Sequence, residues 1–265
     1  MKHKKAALVT GGSSGIGLEV ARSLKKQGYT VYELSRRAEG PKGINHIATD
    51  VTVEAQVQAA VAQVLEKEGH IDMLVNNAGF GISGAIEFTE TEDARKQLDV
   101  NFFGMVNVTK AVLPHMRERG EGRIVNISSV AAPIAIPFQA YYSASKAAIQ
   151  SYSLALLNEV KPFGVKVITI LPGDIATGFT AAREKSIAGD DVYGGRISKS
   201  VAVMEHDEQN GIPAKAAGRF IAKKATKRTP KPMYIVGNTY RALYLASRLV
   251  PARFLYFVVG KLYGG

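Results

Sequence analysis

Seven short runs of β-branched and apolar residues are separated by longer stretches with helical spacing, and this alternation leaves the chain few ways to fold. The runs at 6–10, 30–34, 44–49, 71–76, 123–127, 165–171 and 233–236 predict strands. The stretches at 16–27, 53–68, 94–117 and 141–160 predict helices. Strands that alternate with helices pair in parallel, and the crossover helices cover both faces of the sheet. The expected fold is a three-layer α/β domain built on a doubly wound parallel sheet, one domain over 265 residues. Residues 174–213 interrupt the rhythm with mixed charge and glycine. They are expected to form an irregular lid beyond the carboxyl ends of the strands, where open α/β sheets hold ligands.

The first strand runs into Thr10-Gly11-Gly12-Ser13-Ser14-Gly15-Ile16-Gly17 and then a helix. Glycines at this point let the backbone turn tightly and approach a pyrophosphate, which then sits at the positive helix terminus. The spacing is G-x-x-x-G-x-G, and alone it also reads as a plain strand-to-helix turn. Asn76-Asn77-Ala78-Gly79 closes the fourth strand, and Tyr142-Ser143-Ala144-Ser145-Lys146 follows, with Ser128-Ser129 upstream and Pro172-Gly173 downstream. In this ordered set, over residues 6 to about 180, the chain resembles the Gly-rich short-chain dehydrogenase/reductase family, which has a Rossmann-like fold.

That resemblance implies a dinucleotide site. Gly11, Ser13, Ser14, Gly15, Ile16 and Gly17 would surround the pyrophosphate, and Asn77, Ala78 and Gly79 would flank it. The segment Pro172-Gly173-Asp174-Ile175-Ala176-Thr177 resembles the family's nicotinamide cradle, with Pro172, Gly173, Ile175 and Thr177 as contacts and no role carried onto Asp174. An acid after the second strand would bond the 2′-hydroxyl of NAD, but this chain has Ser35-Arg36-Arg37. Guanidinium groups suit a 2′-phosphate, so NADP(H) is the expected cofactor, although Arg37 or both arginines also read as solvated loop charges. Asp50 and Val51 match the family's adenine contact, and Asp50 is also expected to cap the helix at 53–68.

Tyr142 and Lys146 stand four residues apart, which on a helix puts them on one face. A tyrosine loses its proton near pH 10, and a nearby ammonium is expected to lower that value until the phenol exchanges protons with a substrate oxygen. Ser129 would hold the same oxygen, and Asn101 matches the family asparagine that completes a proton relay through water. Each residue alone has a plain structural reading, as a surface pair, a loop hydroxyl or a helix polar group. Taken together in family order they predict an oxidoreductase acting on an alcohol or ketone. Tyr141 and Ser128 are set aside, because only Tyr142 has a lysine four residues on.

Phe80, Ile82, Pro133, Ile134, Ile136, Pro137 and Phe138 flank these residues in sequence, and Phe80 and Phe138 are the expected substrate contacts. They suggest a hydrophobic substrate of hydroxysteroid, retinoid or long-chain type, although each also reads as core. A 3-oxoacyl thioester reductase is the alternative within the family, but those usually stop soon after the last strand, whereas this chain continues for 29 residues beyond Val236. A non-catalytic NADP-binding sensor or scaffold is the alternative outside it.

Composition narrows the remainder. The absence of cysteine excludes disulfides and thiolate chemistry, and the five scattered histidines are expected on solvated surface, with no metal site. The net charge of +11 is uneven: residues 209–265 carry eleven basic and no acidic side chains. Within them, 240–250 and 252–259 read as amphipathic helices of a basic, apolar extension spanning 238–265. Two roles are open for it, contact with an anionic membrane surface or packing on the lid. Nucleic acid is not an expected partner, because no recognised binding module accompanies the charge. A homodimer, or a tetramer, is expected from the resemblance, through the helices at 94–117 and 141–160. No leader peptide or spanning segment is evident, so the expected location is cytoplasmic, with membrane contact at most peripheral.

Overall fold

The computed structural model describes residues 4–264. Seven strands form one sheet: β1 (Ala6–Thr10), β2 (Thr30–Ser35), β3 (Asn45–Ala48), β4 (Met73–Asn76), β5 (Gly122–Ile127), β6 (Val165–Pro172) and β7 (Met233–Val236). Their order is β3-β2-β1-β4-β5-β6-β7, and every neighbouring pair is parallel. The strand order reverses between β1 and β4, which opens a crevice at their carboxyl ends.

Every residue of β1 is buried, as expected for a strand covered on both faces. Ala7 and Val9 pack with Val20, Ala21 and Leu24 of α1 (Gly15–Lys26) and with Ala217 and Ile221 of α8 (Ala214–Ala225). Leu8 faces the opposite layer, with Val57 and Val61 of α2 (Glu54–Glu68) and Val108 and Val112 of α4 (Gly104–Arg119). α5 (Ala140–Val160) completes that layer through Leu156 and Val160.

Three expectations about elements need correction. The helix expected at 94–117 is α3 (Thr91–Leu98) joined to α4 through a wide π-type turn at Asp99–Phe103. Such a turn inserts one residue, and here it carries the buried Asn101. The segment 174–213 is not irregular: it holds α6 (Phe179–Ala182) and α7 (Arg196–Gln209), a short parallel pairing ties it to 82–83, and another joins its own 175–176 and 212–213. α7 buries Ile197, Val201 and Met204, a stripe at helical spacing that the surrounding charges obscured. α8 was not expected, because its apolar face is mostly alanine and alternates with lysine.

The extension forms α9 (Asn238–Ser247) and α10 (Ala252–Tyr263), and α10 lies against α7. Among the described residues no helix is long and apolar enough to cross a membrane. His115 and His206 are exposed as expected, but His46 and His70 are half-buried. His70 pairs with Asp72 at 3.2 Å, and His46 bonds Glu33 and Arg37. His3 lies outside the described residues.

Candidate active site

One cleft of about 960 Å³ opens over the carboxyl ends of the strands. Gly11, Ser13, Ser14, Gly15 and Ile16 line its floor, as the turn between β1 and α1. Gly11 and Gly15 have φ of +63° and +53°, conformations that glycine adopts without strain. Gly17, expected at the pyrophosphate, does not line the cleft. A methyl group there would sit 2.3 Å from Gly11 O, so its part is to let α1 approach the turn. Thr10 Oγ1 accepts hydrogen bonds from the backbone N–H of Asn77 (2.9 Å) and Ala78 (3.0 Å), locking the segment after β4 beside the glycine turn.

Ser35, Arg36 and Arg37 line one end of the cleft. Both arginines are exposed, and neither guanidinium enters an ion pair among the described residues. Their loop is pinned from below by His46, whose Nδ1 meets Glu33 Oε1 and whose Nε2 lies 2.9 Å from Arg37 O. Asp50 and Val51 line the same region. Asp50 does not cap the next helix, because Val53 occupies the cap position. Its carboxylate instead accepts bonds from Thr52 N (2.9 Å) and Thr52 Oγ1 (2.7 Å). Ala78, Gly79, Pro172, Gly173, Ile175 and Thr177 also line the cleft.

Tyr142 and Lys146 lie one turn apart on α5, with Lys146 Nζ 5.7 Å from the centre of the Tyr142 ring. Ser129, at the end of β5, hydrogen-bonds the phenol. Lys146 is buried and donates to Ile127 O at 3.0 Å, and burial lowers its pKa to about 8. The expected acidification of the phenol is not seen. Burial pushes Tyr142 up to about 12, and the carboxylates of Glu208 and Asp174 push the same way, against the Ser129 bond and the Arg183 charge. The cause is that the ammonium is turned to a backbone carbonyl, while the phenol has lost most of its water. Asn101 is also engaged otherwise than expected. Its amide donates to Phe80 O (3.0 Å) and Ser145 Oγ (3.0 Å) and accepts from Phe80 N (2.9 Å), so it holds the turn that carries Gly79 and Phe80.

On the substrate side, Phe80, Ile134 and Ile136 line the cleft, whereas Ile82, Pro133, Pro137 and Phe138 do not. Phe138 instead packs edge-on against Tyr193, with ring centres 5.6 Å apart, in a small core with Ala85 and Ile197. The residues that complete this side were missed. Leu243, Leu255, Val258, Val259 and Leu262 of α9 and α10 form an apolar wall, and Phe179 packs 5.8 Å from the Tyr142 ring. Asp174, Glu208, Tyr240 and Tyr263 form a polar end. The spacing of the α10 residues signals an amphipathic helix, but nothing in a single sequence says which surface it meets.

The family model described as short chain dehydrogenase matches residues 5–188. A 3-ketodihydrosphingosine reductase of Bacteroides thetaiotaomicron is 41% identical over 244 residues, which are 91% of each chain. A short-chain dehydrogenase from Streptomyces avermitilis superposes with a TM-score of 0.82 at 31% identity, covering 94% of this chain and 93% of that one. A short chain dehydrogenase from Burkholderia cenocepacia, solved in complex with NADP, superposes with a TM-score of 0.76 at 26% identity, over 97% and 98% of the two chains.

Proposed function

The chain belongs to the short-chain dehydrogenase family, and on that premise we propose that it is an NADP(H)-dependent reductase of a long-chain ketone. One observation carries the reading. A single cleft joins two unpaired guanidinium groups at one end, the Ser129–Tyr142 pair in the middle and an apolar helical wall at the other. The residues present fit the cofactor: the glycine turn suits a pyrophosphate, Arg36 and Arg37 a 2′-phosphate, Asp50 and Val51 an adenine, and the segment Pro172 to Thr177 a nicotinamide. Bound there, the cofactor supplies the hydride.

The chain's own residues supply the rest. Ser129 orients the carbonyl oxygen, and Tyr142 gives that oxygen its proton. At neutral pH the phenol carries its proton, the form in which it can donate to a carbonyl oxygen. Asn101 is a positioning residue that fixes Phe80 and, through Ser145, the first turn of α5. Among the hydrophobic classes open to such a cleft, the wall of Leu243, Leu255, Val259 and Leu262 suits an alkyl chain, and the Bacteroides relative is named for a long-chain keto substrate.

The extension serves as the mouth of the cleft and as a contact with an anionic membrane surface. Its outer face exposes Leu249, Phe254 and Phe257 beside Arg241, Arg248 and Arg253. A homodimer through α4 and α5 is part of the same reading, supported by Phe103 and Leu154, which are large, apolar and exposed near those helices.

The test is NADPH oxidation by the purified protein with saturated long-chain ketones. We expect turnover with NADPH well above that with NADH, and a loss of about 100-fold or more in kcat for Tyr142→Phe. A preference for NADH, or full activity in Tyr142→Phe, would overturn the reading.

A further inference from the structure

Asp174 is the polar residue inside an otherwise apolar cradle to which the sequence reading attached no role. It lines the cleft with the groups that surround Tyr142. Its backbone is fixed, because Asp174 O accepts from Ile212 N at 2.9 Å. Its carboxylate accepts one side-chain hydrogen bond, from Tyr240 Oη at 2.5 Å, and that donor is neutral. Among the described residues no lysine, arginine or histidine forms an ion pair with it. The nearest cation, Arg183, is committed to Glu208, which also accepts from Thr180 Oγ1 at 2.7 Å. Asp207, which acts on Asp174 without lining the cleft, accepts from Tyr263 Oη at 3.3 Å.

Two carboxylates, Asp174 and Glu208, therefore line this end of the cleft, with Asp207 and the Arg183 guanidinium close enough to act on Asp174 from outside the lining. Burial pushes Asp174 above the usual carboxylate range, and the neighbouring Glu208 and Asp207 push the same way. An anion so placed is costly unless a cation arrives to pair with it. A ligand head group that carries a cation answers that need. The apolar wall of α9 and α10 begins beside this polar end, so the same ligand must continue as a hydrocarbon.

We propose that Asp174 receives a cationic amine carried next to the reacting carbonyl, so that the substrate is a long-chain amino ketone and not a neutral ketone or a steroid. The proposal rests on the reductase reading of this cleft. Asp174 thereby sets specificity, because its charge-assisted bond forms only with the amine-bearing substrate.

The test compares 3-ketodihydrosphingosine with a ketone of equal chain length that lacks the amine. In the wild type we expect kcat/KM for the amino ketone to exceed that for the neutral ketone by about 30-fold or more, since a charged hydrogen bond is lost with the amine. In Asp174→Asn that ratio should fall to within about 3-fold, while Tyr240→Phe, which keeps the charge, should retain most of it. A saturated alkylamine should likewise inhibit the wild type more strongly than the alcohol of equal length. This comparison needs no variant to fold. Equal inhibition by the two, or an unchanged ratio in Asp174→Asn, overturns the proposal. If the wild type reduces both ketones alike, Asp174 loses its role and the reductase reading stands. If it reduces neither, the reductase reading itself fails.

Discussion

Lys146 is a cation buried at the wall of the cleft. Its one hydrogen bond, to Ile127 O, does not replace a hydration shell, so burial lowers its pKa from 10.5 to about 8. The folded state therefore releases a proton that the unfolded chain still holds between those values. The penalty for burying the charge is fully present below about pH 8, shrinks as pH rises, and is gone above 10.5. A shift of this size corresponds to about 3 kcal/mol. Urea unfolding at pH 7.5 and pH 10 should thus show the wild type gaining stability relative to Lys146→Met, by on the order of 2 kcal/mol. A difference that does not move with pH would mean the lysine is neutral or solvated at both. The same charge is what a dinucleotide site needs, so the residue trades stability for chemistry.

At the level of elements, α10 lines the apolar side of the cleft, and in the proposed function it sets the room for the substrate. Val259 is buried and borders both the main cleft and the smaller recess under Pro137 and Phe138. Val259→Trp should shorten the longest ketone accepted by several carbons, read as KM against chain length, with kcat on short ketones kept within about 3-fold. A chain-length profile identical to that of the wild type would place the hydrocarbon elsewhere. This element also marks where the sequence stopped being legible. The glycine turn, the strand runs and the Tyr142–Lys146 spacing are local patterns, and the structure has each where its pattern lies. The opposite wall is assembled by tertiary contact: Tyr240 of α9 meets Asp174 across 66 residues and α10 packs on α7, and no local pattern records those meetings. Phe138 misled for the same reason. It adjoins the site in sequence, but its backbone at φ +59° sends the ring into a separate core. The wide turn at Asp99–Phe103 was equally hidden, because a helix with one inserted residue keeps its apolar spacing on either side.

The whole molecule is electrically lopsided. Residues 209–265 hold eleven basic side chains and no acid, while the body is balanced. The outer surface of α9 and α10 adds exposed apolar groups, with Leu249 at 86% exposure. Vesicles containing anionic phospholipid should therefore sediment the protein, purely zwitterionic vesicles should do so much less, and 0.5 M salt should weaken the association several-fold. Leu249→Glu with Phe257→Glu should reduce it further. Sedimentation insensitive to lipid charge and to both substitutions would confine the extension to closing the cleft.

The order of strands also sets an order of birth. By Asn76 the chain contains all of β1 to β4, whose pairings frame the glycine turn in the folded molecule. The hydrocarbon wall, by contrast, waits for residues 243–262. A nascent chain can thus build the glycine turn, on which the proposed cofactor site rests, well before residues 243–262 are made.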